Sequence, residues 1–241
     1  MIARRGSPGF ARLRWLAVLV ALGLVAGLVP TGLYVLKPGP VLPLAGAVIV
    51  PGGDPAAGGR YLMVTVRADR ATALVALAAA FRPSWTVVPR SALIPADLTV
   101  EDYLRRAAAQ MTESQRNAVR VASAYLSRDV GAVRFEVGEI SGPSAGGMFA
   151  LEIIRQAGGG GPPPGVVVAG SGMLLPDGRL TRVGGIAQKV AAAEAAGATY
   201  FVVPREEAVA ARSAARRIKV IEADDVREAL RSVATAAEAP R

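Results

Sequence analysis

The stretch Ser141-Gly-Pro-Ser-Ala-Gly-Gly-Met148 and the run that follows it, Phe149-Ala-Leu-Glu-Ile-Ile-Arg-Gln156, constrain this chain more than any other segment. Gly142 and Pro143 read as a turn feeding a helix, because proline suits the first helical position, where its missing N–H costs nothing. In that helix Glu152, Arg155 and Gln156 share one face at i, i+3, i+4 spacing, while nearly every other residue is apolar. A helix apolar over most of its surface belongs inside the molecule, with the other elements packed around it. Ser144 then lies in the first turn of a buried helix, where unpaired backbone N–H groups and the helix dipole can stabilise a developing oxyanion. The glycines beside it let a second backbone approach closely. Serine at a helix start is more often only a cap, so chemistry at Ser144 requires a partner base.

The 241 residues contain no histidine and no cysteine. That excludes a Ser-His-Asp triad, a cysteine nucleophile and any metal site built on imidazole or thiolate, and no cofactor or metal is expected. The bases left are carboxylates and lysine, and Lys37, Lys189 and Lys219 are the only lysines among 28 basic residues. Arginine does not release its proton, whereas a desolvated lysine can act as a general base. Lys37 ends a long apolar run and Lys219 sits in the basic segment Arg216-Arg-Ile-Lys219. Lys189 lies in Gly184-Gly-Ile-Ala-Gln-Lys-Val-Ala-Ala-Ala-Glu-Ala-Ala-Gly197, a predicted helix with glycine at both ends. Ile186, Lys189, Val190 and Ala193 fall on one apolar stripe, with Gln188 and Glu194 off it. On a buried face the charged amine is disfavoured, as a base working near neutral pH requires; at the stripe's edge the same lysine would merely snorkel to solvent.

Taken together, Gly142-Pro-Ser-Ala-Gly146, Gly184-Gly185, Lys189, Gly197 and the strand ending at Pro204 resemble the proteolytic domain of Lon proteases. The likeness runs from about residue 133 to 204. It implies a serine nucleophile at Ser144, a lysine base at Lys189, and Ser171 hydrogen-bonding the amine where the family usually has threonine. Gly142 and Ala145 flank the nucleophile, and backbone N–H groups around it would hold the oxyanion. The chain departs from the family pattern at Ser141, where aspartate is common, and at Met173, where glutamate is expected.

Residues Trp15 to Leu36 are 22 in a row without charge, enough for a helix to cross a bilayer. Arg4, Arg5, Arg12 and Arg14 precede the run, and Trp15 and Tyr34 sit near its ends, as interfacial aromatics do. The expectation is a basic cytoplasmic N-terminus over 1–14, a single transmembrane helix over 15–36, a proline- and glycine-rich linker over 37–60, and an extracytoplasmic domain over 61–241. A cleaved signal peptide is the rival, though its apolar core is usually only about 7–15 residues. The absence of cysteine suits either compartment. Residues 1–37 carry five of the basic residues and no acid, so much of the net charge of +9 is explained by topology. The rest lacks the basic patch with interleaved aromatics that a nucleic-acid groove would need.

Beyond residue 60, predicted strands at 61–66, 85–88, 132–137, 166–174, 179–183, 200–203 and 218–221 alternate with predicted helices at 71–81, 99–126, 184–197, from 205 and after 224. Thr99 and Asp102 form a capping box for the long one. The alternation makes the fold α/β. Gly158-Gly-Gly-Gly-Pro-Pro-Pro-Gly165 reads as a surface loop, with a substrate-facing flap as the lesser alternative. No G-x-x-x-x-G-K-[ST] loop occurs, so no ATPase motor is expected. The segment Tyr34-Val-Leu-Lys-Pro-Gly-Pro40 extends the resemblance to membrane-anchored, ATP-independent Lon-like proteases of bacteria. Those commonly carry a PDZ domain where this chain has only Ser127–Gly131.

The expected function is therefore an ATP-independent, membrane-anchored serine endopeptidase acting on extracytoplasmic polypeptides, with a ring-shaped homo-oligomer implied by the resemblance alone. Two alternatives stay open. One is a phosphate-binding enzyme using the glycine-rich turn. The other is a non-catalytic, membrane-tethered scaffold of the same fold.

Overall fold

The computed structural model describes residues 14, 15, 17, 18, 21, 23, 25, 27–138, 140 and 142–238. A six-stranded sheet runs through the molecule in the order β10-β9-β6-β3-β1-β4. Its members are β1 (Pro30–Pro43), β3 (Arg60–Thr72), β4 (Thr86–Pro89), β6 (Val167–Gly170), β9 (Tyr200–Val203) and β10 (Lys219–Glu222). The β10, β9, β6 and β3 strands are parallel, and β1 joins β3 and β4 antiparallel. Two short ribbons stand apart, β2 (Val48–Ile49) with β5 (Arg134–Phe135), and β7 (Met173–Leu174) with β8 (Leu180–Thr181).

Alternation along the parallel strands builds one core on each face of the sheet. Tyr61, Met63, Val168, Tyr200 and Val202 point to one side. There they meet α3 (Val100–Leu126), α4 (Gly146–Gln156) and α7 (Val226–Glu238). Leu62, Val64, Val167, Ala169, Phe201 and Val203 point to the other, against α5 (Ile186–Ala195) and α6 (Ala208–Ala214). Two short helices, α1 (Leu44–Ala47) and α2 (Ala73–Ala79), follow β1 and β3. The fold is thus α/β with helices on both faces of a mixed sheet.

The α4 helix is buried along its whole length, polar residues included. Its polar face is a closed network: Arg155 pairs with Glu152 at 2.6 Å, and Gln156 bonds the same carboxylate and the Val48 carbonyl, each at 2.7 Å. Thr99 caps α3 by accepting from the Asp102 N–H at 3.1 Å. The loop 158–165 docks on the segment before β3, with the Pro162 carbonyl accepting from Gly59 N–H, and does not line the cavity described below.

The expected single transmembrane helix over 15–36 is not supported. No helix among the described residues is long and apolar enough to cross a membrane. The end of that run, Pro30 to Leu36, is the start of β1, with Val35 set between Asp69 of β3 and Val87 of β4. Pro30 kinks or breaks a helix interior, and Thr31, Tyr34 and Val35 favour a pleated strand; summed hydropathy registers neither. The expected basic N-terminus over 1–14 lies almost wholly outside the described residues. The linker read over 37–60 also begins differently, since Lys37 to Pro43 continue β1 and Lys37 binds Asp69 at 3.1 Å. Leu44 to Ala47, within the expected linker, make a helical turn.

Candidate functional site

The two faces of the sheet communicate where β6 ends. Beyond Gly170 the chain leaves the sheet through Ser171 and Gly172, opening a gap at the carboxyl ends of the parallel strands, the usual place for a site in such folds. From one face α4 brings the turn that carries Ser144. From the other α5 brings Lys189. Ser144 and Lys189 both line a single cavity of about 720 Å³, together with Gly142, Ala145, Gly184 and Gly185.

The turn before α4 is a 3₁₀ helix over Pro143–Ala145, entered through Gly142 at φ 101° and ψ 157°, a conformation side-chain-bearing residues rarely adopt. Gly142 N–H donates to the Ala107 carbonyl of α3 at 3.0 Å, and the Ser114 hydroxyl donates to the Pro143 carbonyl at 3.2 Å. A Cβ at Gly146 would lie 2.5 Å from Ser114 Oγ and 2.8 Å from Leu174 Cβ, so only glycine lets α3 and β7 close on this turn. Ser144 itself is half-buried, and its hydroxyl makes no hydrogen bond among the described residues.

The Ser144 carbonyl is held from the other side. It accepts from Gly172 N–H at 2.9 Å and from the Ser171 hydroxyl at 3.1 Å. Ser171 Oγ in turn lies 3.0 Å from Lys189 Nζ. With its own proton committed to the Ser144 carbonyl, Ser171 accepts an N–H from Lys189. The lysine's remaining valences stay open to the cavity. Ala145 is buried beside Ser144. Gly146 N–H is taken by Pro143 O and Gly147 N–H by Gly172 O, which leaves a phosphate cradle short of donors. The Ser144 N–H has no partner among the described residues and lies in the turn that opens α4, at the positive end of the helix dipole.

Lys189 is 4% exposed, set beside Ile186, Val190 and Ala193. Burial pushes its amine down to about 8, and the Glu207 carboxylate opposes that fall in part. Glu207 was not anticipated from the sequence. Following Pro204 and Glu206 it reads as an ordinary acid of a helical first turn, yet it is buried, 3.3 Å from Arg182. Ser114 and Asn117 are two further buried polar residues beside the site. Their signal is the interruption by polar residues of the stripe formed by Ala107, Met111, Ala118 and Val121; Asn117 donates to the Leu174 carbonyl at 3.1 Å. Gln188, off the apolar stripe, is nonetheless buried against Thr86 of β4 at 2.9 Å. Ser141 lies outside the described residues, and Met173 begins β7.

No group of histidine, cysteine, aspartate or glutamate suited to a metal ion occurs among the described residues. The arrangement is that of a hydroxyl and a weakly basic amine on one cavity, capable of proton transfer and nucleophilic attack. Comparison of the chain with models of known protein families and with curated proteins finds no match to either.

Proposed function

We propose that this chain is a serine-type peptide hydrolase in which Ser144 is the nucleophile and Lys189 the general base. The observation that carries the reading is the convergence of Ser144 and Lys189 on one cavity, with the amine pushed down to about 8 and one of its protons held by Ser171. The resemblance of the segments around Ser144 and Lys189 to Lon-type proteases supports the same assignment.

Neutral Lys189 takes the Ser144 proton as Oγ bonds to the scissile carbonyl carbon. The oxyanion so formed is met by the Ser144 N–H at the helix start. The protonated amine returns that proton to the departing amine nitrogen as the C–N bond breaks, leaving an acyl ester on Oγ. Water then adds, Lys189 accepting its proton, and the proton passes to Oγ as the ester opens.

An extended polypeptide suits the cavity better than a compact small molecule. Six consecutive β3 residues, Met63 to Ala68, line it, so a strand edge and not just one side-chain face forms its wall. The β3–β6 ladder stops at the pair Met63 and Gly170, while β3 continues to Thr72, leaving that edge open toward the site. A peptide laid along such an edge takes main-chain hydrogen bonds irrespective of its sequence.

The test is degradation of a fluorescently labelled unfolded protein by the purified full-length chain without ATP, beside Ser144→Ala and Lys189→Ala. Cleavage by the parent and none by either folded variant is expected. Cleavage persisting in Ser144→Ala would overturn the reading.

A further inference from the structure

The lysine site has a second charged layer behind it. Gly172 packs against Pro204: a Cβ on Gly172 would lie 3.4 Å from the Pro204 ring. Glu207 follows one turn later, its N–H donating to the Pro204 carbonyl at 2.9 Å. This places Glu207 at the head of α6, whose Ala208 and Ala211 share a core with Ile186 and Val190 of the Lys189 helix. Arg182, just past β8, reaches Glu207 at 3.3 Å and Glu206 at 3.7 Å, and its backbone N–H donates to Glu206 at 2.7 Å. A buried carboxylate, held by a solvent-exposed guanidinium, thus sits at the head of the helix that packs against the helix of the buried amine.

The other charges around the site are already engaged. Arg67, on the cavity wall, binds Asp69, which also holds Lys37. Arg205 turns away to Asp224 and Glu228. Glu194, on the lysine's own helix, accepts from the backbone N–H groups of Arg216, Arg217 and Ile218. Tyr103 of α3 lines the cavity with its phenol ring.

We propose that Glu207 is a positioning residue for Lys189, a buried counter-charge whose strength Arg182 sets from the surface. This rests on the reading of Lys189 as the base. Glu207 supports the protonated lysine formed during attack, and Arg182 keeps that support from being so strong that the amine stays protonated beforehand. The opposition of Glu207 to the burial of Lys189 agrees with this.

The chain's three lysines make a direct test practicable. Lysine-selective ¹⁵N labelling gives three side-chain signals, assigned with Lys37→Arg and Lys219→Arg, and the Lys189 signal is titrated in each variant. In the parent protein it should titrate near 8. In Glu207→Gln the midpoint should fall by about half a pH unit or more, in Glu207→Asp it should stay near the parent value, and in Arg182→Met it should rise. The acid limb of kcat/KM should move in the same directions. Arg182 is exposed, so its variant reports on the same charge even if Glu207→Gln fails to fold. A Lys189 midpoint near 8 that neither charge variant moves would overturn the role of Glu207 and leave the base intact. A parent midpoint at the ordinary lysine value would overturn the base itself.

Discussion

Lys189 Nζ donates to Ser171 Oγ across 3.0 Å, and Ser171 passes the connection on to the Ser144 carbonyl at 3.1 Å. One side chain therefore links the proposed base to the backbone of the proposed nucleophile. Its removal should not abolish the chemistry, because Gly172 N–H still holds the Ser144 carbonyl. Ser171→Ala is expected to lower kcat/KM by about tenfold, the worth of one buried hydrogen bond to an amine. Ser171→Thr keeps the hydroxyl and should retain most of the rate. Steady-state cleavage of a fluorogenic peptide checks both, and equal losses in the two variants would mean that packing, not the hydroxyl, matters there.

The pH dependence follows from the state in which Lys189 works. Only the neutral amine can accept the Ser144 proton, and burial, opposed by Glu207, sets its titration at about 8. Below that value kcat/KM should fall about tenfold per pH unit, and at pH 7 about one molecule in ten carries a competent base. Stopped-time cleavage assays from pH 6 to 9.5 measure the limb. A rate independent of pH between 6 and 9 would exclude lysine as the base.

Gly142 should prove intolerant for reasons of backbone alone. At φ 101° and ψ 157° it occupies a region that a Cβ penalises, yet a Cβ there would meet no atom within 4 Å. Gly142→Ala should thus cost about 1–3 kcal/mol of strain, or reset the turn and displace Ser144. A displacement near 1 Å is enough to lower turnover on the order of 100-fold. Activity measured well below the variant's melting temperature, beside circular dichroism, separates a misplaced nucleophile from an unfolded one. Full activity would show that the turn tolerates another conformation.

Much of this was legible from the chain because it is local. Tyr200–Val203 is an uninterrupted apolar run closed by Pro204, and it is the strand β9; Thr99 opens α3 as its spacing with Asp102 requires. Ser144 on a helix start and Lys189 on a buried stripe were each visible from periodicity. Three things were not, because they depend on neighbours distant in sequence. The run ending at Leu36 has the hydropathy of a membrane helix, but pairing with Arg70, Asp69 and Ala68 makes its last residues a strand. Glu152, Arg155 and Gln156 share a face as expected, but only the approach of residues 48–57 encloses that face and converts three polar residues into a buried network. Glu207 is brought toward the helix of Lys189 by the packing of α6 on α5, which no local pattern announces.

Lys189 should weaken the fold that uses it. In the unfolded chain its amine titrates at the ordinary 10.5, and in the folded protein at about 8. Below pH 8 both states are protonated, and burying the charge penalises the folded state by the whole difference, about 3 kcal/mol. Between 8 and 10.5 the folded lysine is neutral while the unfolded one still binds a proton, so stability rises with pH across that window. Above it both are neutral and the penalty is gone. Lys189→Met, of similar length and without the charge, should stabilise the protein by roughly 2–3 kcal/mol at pH 7, somewhat less than the full penalty because the bond to Ser171 is lost, and abolish cleavage. The gain should shrink toward zero as the pH approaches 10.5. Urea denaturation of parent and variant at pH 7, 8.5 and 10 measures it. A variant no more stable than the parent at pH 7 would mean that the amine is not desolvated in the folded state, and with that its suitability as a base near neutral pH would go.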